Sequence, residues 1–113
     1  PADLVCDSAD DGAVHVVALN RLGAALGTGR LLVAAPGVGQ IGRMAVRRAL
    51  RGAQVGRALL TALVDVSRAR GDSEVMLHAQ SSAVGFYRQA GFMPRGPAFV
   101  EAGIAHQEMV LSL

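Results

Sequence analysis

The stretch Arg51-Gly52-Ala53-Gln54-Val55-Gly56-Arg57-Ala58-Leu59-Leu60 joins two kinds of hydrophobic period, and its reading decides the fold. Before it, the residues from Ile41 to Val46 alternate like a strand. After it, Val55, Ala58, Leu59, Ala62, Leu63, Val66 and Ala69 recur at helical spacing, while Arg57, Asp65, Arg68 and Arg70 fall on other faces. A strand-to-helix turn with an Arg and two Gly suits a phosphate group. Glycine lets the backbone come close to a ligand, the free N–H groups of a helix start point outward, and the helix dipole favours an anion there. Arg51 and Arg57 would add charge-assisted bonds. An ordinary connection between two elements fits the same residues, so the stretch alone leaves both readings open.

A second glycine pattern competes for the phosphate role. Gly37-Val38-Gly39-Gln40-Ile41-Gly42 matches G-x-G-x-x-G after an apolar strand, and Asp65 lies near the distance of a ribose-binding acid. That fingerprint needs its third glycine to open a helix. Here Ile41, Met44 and Val46 alternate as a strand, and Asp65 falls within a helix, so the match is read as a hairpin turn.

Outward from these turns, Val14 to Leu19 and Gly29 to Ala35 read as strands, with a helical turn as one reading of Arg21 to Leu26 between them. The helix from Val55 stops at Gly71, which suits a left-handed cap. Glu74 to Ala79 follows as a buried strand, and its parallel partner is the strand before the helix. Ser82 is placed to cap a second helix in which Ala83, Phe86, Tyr87 and Ala90 share a face, ended by Gly91. The segment from Phe92 to Val100 is broken by Pro94, Gly96 and Pro97, and Gln107 to Leu113 closes the sheet. Residues 1–12, acidic and without apolar period, read as a loop or frayed leading segment.

A chain of 113 residues holds one domain, residues 1–113, with a single modest core built on Val, Leu, Ala and Met rather than its few aromatics. Apolar runs are far shorter than the roughly 20 residues of a membrane span, no signal peptide is visible, and the expected location is cytoplasmic. Cys6 is the only cysteine, which excludes an internal disulfide and a cysteine zinc site. All eleven basic residues are Arg, and Arg43, Arg47, Arg48, Arg51 and Arg57 cluster, which suits a polyanionic small ligand. Nucleic acid is the weakest reading of that cluster, since the aromatics belong to the helix and strand pattern rather than to an exposed sheet. His15, His78 and His106 show no ligand spacing, so no metal is expected.

Three segments in order resemble the GCN5-related N-acetyltransferase (GNAT) superfamily. Arg51 to Gly56 resembles its Q/R-x-x-G-x-G/A motif, with Gln54 where the motif usually has its middle glycine. Ile41 to Val46 resembles the family's fourth strand, and Ala83-Val84-Gly85-Phe86-Tyr87-Arg88-Gln89-Ala90-Gly91-Phe92 matches its A-x-x-F-Y-x-x-x-G-F segment. With Leu77-His78-Ala79-Gln80 and Glu101-Ala102-Gly103-Ile104-Ala105-His106, the chain is similar to the ElaA-like branch over about residues 28 to 113.

The resemblance implies an α/β (α+β) GNAT fold, a mixed and mostly antiparallel sheet with flanking helices. The expectation is a domain truncated at its N-terminal part, without the first strand and two helices usual in the family. It implies acetyl-CoA as co-substrate, held by Met44, Ala45, Val46, Arg51, Gly52, Ala53, Gln54, Val55, Gly56, Arg57, Ala58 and Phe86. The implied reaction is direct acetyl transfer to a primary amine of a small molecule or peptide. Tyr87 is the implied acid toward the coenzyme sulfur. The general base is left open among Glu101, His106 and His78. Glu101 and His106 are candidate acceptor-binding residues, with an exposed loop pair as the alternative, and His78 is placed on a buried strand. A homodimer is the default assembly. The alternative function is a weak or inactive GNAT-like module that binds acyl-CoA or another protein.

Overall fold

Antiparallel hairpins open the chain in the computed structural model, which describes residues 3–8, 12–47 and 54–113. Strands β1 (Asp3–Ser8), β2 (Val14–Leu19), β3 (Ala25–Ala35) and β4 (Val38–Val46) each pair antiparallel with the next. Helix α1 (Val55–Ala69) then leads to β5 (Glu74–Gln80), which lies parallel to β4 as the crossover pattern predicts. A 3₁₀ turn at Ser81–Ala83 runs into α2 (Val84–Gln89), followed by β6 (Met93–Pro94), β7 (Phe99–Glu101) and β8 (Ile104–Ser112). Among the described residues the sheet order is β1-β2-β3-β4-β5-β8-β6, with β7 also paired to β8. The mixed, mostly antiparallel sheet is thus the expected one.

The core lies between α1 and one face of this sheet. Val55, Leu59, Leu60, Leu63 and Val64 of the helix meet Val16, Ala18, Leu31, Ile41, Val75 and Leu77 of the strands. Each fully buried aliphatic side chain contributes about 1.5–3 kcal/mol relative to exposure. The helix comes unusually near the sheet over Gly29, where a Cβ would fall 2.7 Å from Leu63 Cδ1. Beyond α1, Gly71 takes φ 90° and its N–H donates to Arg68 O at 3.1 Å, the expected left-handed ending.

A polar knot fixes the helix end to the hairpin. The fully buried Ser67 donates to Asp72 Oδ2 at 2.6 Å, and Arg70 Nε donates to the same oxygen at 2.7 Å. Arg70 also reaches Leu32 O at 2.9 Å and Gly12 O at 3.1 Å. Desolvation pushes the Asp72 carboxyl up, but the hydrogen bonds from Ser67 and Arg70 and the charge of Arg70 outweigh it, and the net shift is downward.

Four local expectations are corrected. The leading segment is not wholly a loop, because residues 3–8 pair along the free edge of β2. All six side chains there are exposed; the strand forms to satisfy backbone groups, which leaves no apolar period to read. The segment from Arg21 is no helical turn: Asn20 Oδ1 accepts from Leu22 and Ala24 N–H, both at 2.9 Å, and Gly23 takes φ 81°, making a hairpin loop. Strand β3 consequently starts at Ala25, four residues before Gly29. Ser82 sits inside the 3₁₀ turn and makes no capping hydrogen bond; α2 begins after Ala83. The G-x-G-x-x-G run is a hairpin as read, with Gly37 at φ 77° in the turn and Gly39 and Gly42 within β4.

Candidate active site

Strands β4 and β5 pair only from Val38↔Glu74 to Ile41↔Leu77 and then part. The cause lies in β4, where Arg43 takes φ 51° and the register with β3 slips from Arg30↔Gly42 to Thr28↔Ala45. One extra residue makes a bulge that bends a strand and ends its pairing on one side. Beyond it, residues 44–46 keep β3 on one edge and have no strand partner on the other among the described residues.

Two neighbouring cavities lie at the opening. The first, about 550 Å³, is lined by Met44, Ala45 and Val46 on the β4 side, by Gln54, Gly56 and Arg57 at the start of α1, and by Ala83, Phe86, Tyr87 and Gln89 opposite. The second, about 440 Å³, is lined by residues 41–44 of β4, by Leu77, His78 and Gln80 of β5, and by Ala83, Tyr87 and His106. Met44, Ala83 and Tyr87 line both, so the two cavities adjoin at these residues.

The start of α1 faces the first cavity. Ala58 N–H makes the first bond of the helix described, to Gln54 O at 3.0 Å. Val55, Gly56 and Arg57 N–H therefore have no described partner, and the first turn carries no acidic side chain or side-chain cap to compete with an anion. Gln54 adopts φ 70°, ψ 0°, the left-handed conformation that the motif's usual glycine favours. A Cβ on Gly56 would sit 3.5 Å from Phe86 Cζ and 3.6 Å from Val46 Cγ2, on the cavity wall. Arg57 reaches across to Gln89 Oε1 at 3.4 Å. Residues Arg51, Gly52 and Ala53 of the motif lie outside the described residues, as does Arg48. Val55 is buried in the core and Ala58 half-buried, so neither side chain lines the cavity; only their backbone faces the helix start.

Tyr87 stands where the two cavities meet. Its ring packs edge-on against Phe86 and Phe92, with centroids 5.0 and 6.0 Å away. Burial pushes its phenol up from the ordinary value, so it keeps its proton across the neutral range.

The second cavity is lined by His78 and His106, and Glu101, which is not part of its lining, lies near both rings. His78 is exposed rather than buried, because it lies on the sheet face opposite α1; buried neighbours Leu77 and Ala79 take the core side. Its Nδ1 is 3.7 Å from Glu101 Oε1 and its Nε2 3.7 Å from Glu108 Oε1. His106 is buried, Nδ1 lying 2.8 Å from Ile104 O and Nε2 3.8 Å from Glu101 Oε2. Phe99 packs on both rings, at 5.1 Å from His78 and 5.8 Å from His106. Glu101 and His106 are thus strand residues, not a loop pair. Glu108 escaped sequence reasoning. It enters through the antiparallel register His78↔Glu108, which no local pattern announces. Among the described residues no group of acids, histidines and cysteine has a metal-holding arrangement, and no helix is long and apolar enough to cross a membrane.

Comparison with known proteins agrees with this fold. A family model described as an acetyltransferase (GNAT) domain matches residues 5–113. An IAA acetyltransferase of Azospirillum brasilense is 34% identical over 88 residues, 74% of this chain; the chain spans 58% of that protein's length. A crystal structure of an acyl-CoA N-acyltransferase from Pseudomonas aeruginosa superposes with TM-score 0.75 at 30% identity, covering 88% of this chain and 68% of that one. Escherichia coli ElaA superposes with TM-score 0.78 at 27% identity, covering 92% of this chain and 74% of its own.

Proposed function

The chain belongs to the GNAT acetyltransferase family, and from that premise we propose that it transfers an acetyl group from acetyl-CoA to a primary amine at the opening between β4 and β5. The observation that carries this reading is the parting of those strands after Ile41↔Leu77 into a cavity that ends on the start of α1. The coenzyme supplies an acetyl thioester, an activated acyl group with a thiol as its leaving group.

The residues present fit that donor. Backbone N–H groups of Val55, Gly56 and Arg57 have no partner among the described residues and would bind the pyrophosphate, with the left-handed Gln54 turning the chain toward it. Gly56 leaves its wall free of a methyl group. Arg51, Gly52 and Ala53, the remaining motif positions, lie outside the described residues and belong to the proposed pyrophosphate site by motif order alone. The unpaired edge of Met44, Ala45 and Val46 offers backbone donors and acceptors to the pantetheine arm, and a donor from it polarises the thioester carbonyl. Phe86 closes the apolar wall. Tyr87, kept neutral by burial, donates its phenolic proton toward the departing sulfur.

Titration of the purified chain with acetyl-CoA, followed by calorimetry, tests the reading. Saturable one-to-one binding is expected. Absence of heat up to millimolar coenzyme would overturn it.

A further inference from the structure

Arg30 and Arg70 are the half-buried arginines among the described residues, and the fold provides for them in opposite ways. Arg70 spends its donors on Asp72 Oδ2 at 2.7 Å, Leu32 O at 2.9 Å and Gly12 O at 3.1 Å. Arg30 has no acceptor and no counter-ion among the described residues, and its Nε is closed off from water without a hydrogen-bond partner. No other side-chain nitrogen or oxygen among the described residues is left in that state. A buried donor without an acceptor has given up its hydration for nothing, and a donor on a cation gives up more than a neutral one.

The alternation of β3 places this orphan. Gly29 and Leu31 face α1 and the core, so Arg30 stands on the face away from α1, with Thr28 and Leu32. Its cross-strand neighbours are His15 on β2 and Gly42 on β4, and Val17, opposite Thr28, shares the face. His15 and Thr28 are exposed, while Val17 and Leu32 are half-buried. A Cβ on Gly42 would meet no atom within 4 Å, so the β4 side of this row is open. The acid of the same row, Asp7 on β1, lies beyond His15, two strands and roughly 10 Å away along the sheet.

We propose that Arg30 is the centre of a carboxylate-binding site on this face, separate from the two cavities, neither of which it lines. A carboxylate laid along the Nε–Nη edge of the guanidinium accepts two parallel hydrogen bonds, one of them from the orphaned Nε, and cancels the charge. Water would satisfy the donor and leave the charge. A phosphate carries close to two negative charges, and a single guanidinium would leave one of them on a partly apolar surface. Val17 and Leu32 suit a carboxylate carried on an apolar body, with the His15 ring and the Thr28 hydroxyl as polar groups at the rim. The carboxylate belongs to a small molecule or to an acidic side chain of a polypeptide; both present the same pair of oxygens. The site goes beyond the acetyl-transfer reading and does not rest on it.

The test observes the arginine Nε–H signals of the isotope-labelled full chain at about pH 6.5, where carboxylates are ionised. Benzoate is the small-molecule probe, and N-acetylglutamic acid α-amide stands for a polypeptide side chain. Benzamide is the neutral control and inorganic phosphate the anion control, all at constant ionic strength. The Arg30 signal, identified by its loss in Arg30→Lys, should move saturably with both carboxylates, and benzoate should bind about ten-fold more tightly than benzamide. Tighter binding of benzoate than of the glutamate amide points to a small-molecule ligand, and the reverse to a polypeptide. Arg30→Lys keeps the charge but loses the fork, so carboxylate affinity should fall about ten-fold. Arg30→Met keeps an apolar stem and removes the orphaned donor; it should melt no lower than the parent in carboxylate-free buffer and lose the rise in Tm that benzoate gives the parent. An Arg30 signal that neither carboxylate moves, equal binding of benzoate and benzamide, or tighter binding of phosphate would overturn the proposal. So would an Arg30→Met variant that melts several degrees lower, because the guanidinium would then already have its partner in the folded chain.

Discussion

Gln54 holds a backbone conformation that costs a residue with a Cβ about 1–2 kcal/mol, at φ 70° immediately before α1. The Gln does not prevent the turn from forming; it stores strain there. Gln54→Gly should therefore raise stability by about 0.5–1 kcal/mol, part of the relief being offset by the larger entropy of glycine in the unfolded chain, and should tighten acetyl-CoA binding; thermal unfolding and calorimetry measure the two. Tyr87 yields to a subtler exchange. Tyr87→Phe keeps the ring contacts with Phe86 and Phe92 and removes only the proton donor, so coenzyme affinity should stay unchanged while turnover falls about 10²–10⁴-fold if the phenol is the acid. Full turnover in that variant would assign the proton to water. Asp72 sets a pH limit. Its carboxyl is lowered in the fold, so its contribution is present above the ordinary unfolded value near 3.9 and is lost as pH falls through the lower folded value. Asp72→Asn should cost about 1.5–3 kcal/mol at pH 7, a difference that shrinks below pH 4 in acid unfolding curves.

At the scale of elements, what the sequence discloses depends on whether an element is fixed by its own period or by its partners. Helix α1 was legible because Leu59, Leu63 and Val66 recur at helical spacing and Gly71 ends them; β5 and the turn at Gly37 were legible for similar local reasons. Strand β1 was not, since its side chains are all exposed and only the edge of β2 calls it into being. The bulge at Arg43 was equally silent, because an Arg in the left-handed region leaves no mark in the alternation of Ile41, Met44 and Val46. Tyr87 and the start of α1 could be chosen from motif order, whereas the neighbours of His78 depend on the register of β8. The junction of α1, β4 and α2 invites one further prediction. At Gly56 an added methyl would make only ordinary contacts with Phe86 and Val46, so Gly56→Ala should leave the unfolding free energy within about 0.5 kcal/mol of the parent. The same methyl narrows the proposed coenzyme wall, and acetyl-CoA affinity should fall. Calorimetry with a paired melting curve separates these outcomes; unchanged affinity would move the coenzyme away from this wall.

For the whole molecule, the parted strands make binding and stability one question. On the β4 side of the opening, residues 44–46 have lost one ladder of hydrogen bonds, while the β5 side stays fully paired to β8 from Glu74↔Ser112 to Gln80↔His106. The sheet is thus unevenly secured about its own cleft. A ligand that takes the place of the missing ladder binds only the folded chain, and at a hundred times its dissociation constant it adds about 2.7 kcal/mol to unfolding. For a domain of this size that corresponds to a rise of roughly 10 °C in Tm. Protection should be local as well as global. Hydrogen exchange of the amides in residues 44–46 and 55–57 should slow on addition of acetyl-CoA, whereas β1, whose strand partner among the described residues is β2 at the far edge, should exchange as before. A uniform slowing across β1 and β4 alike would mean that the coenzyme acts only by shifting global unfolding, and that the open edge of β4 is not where it lies.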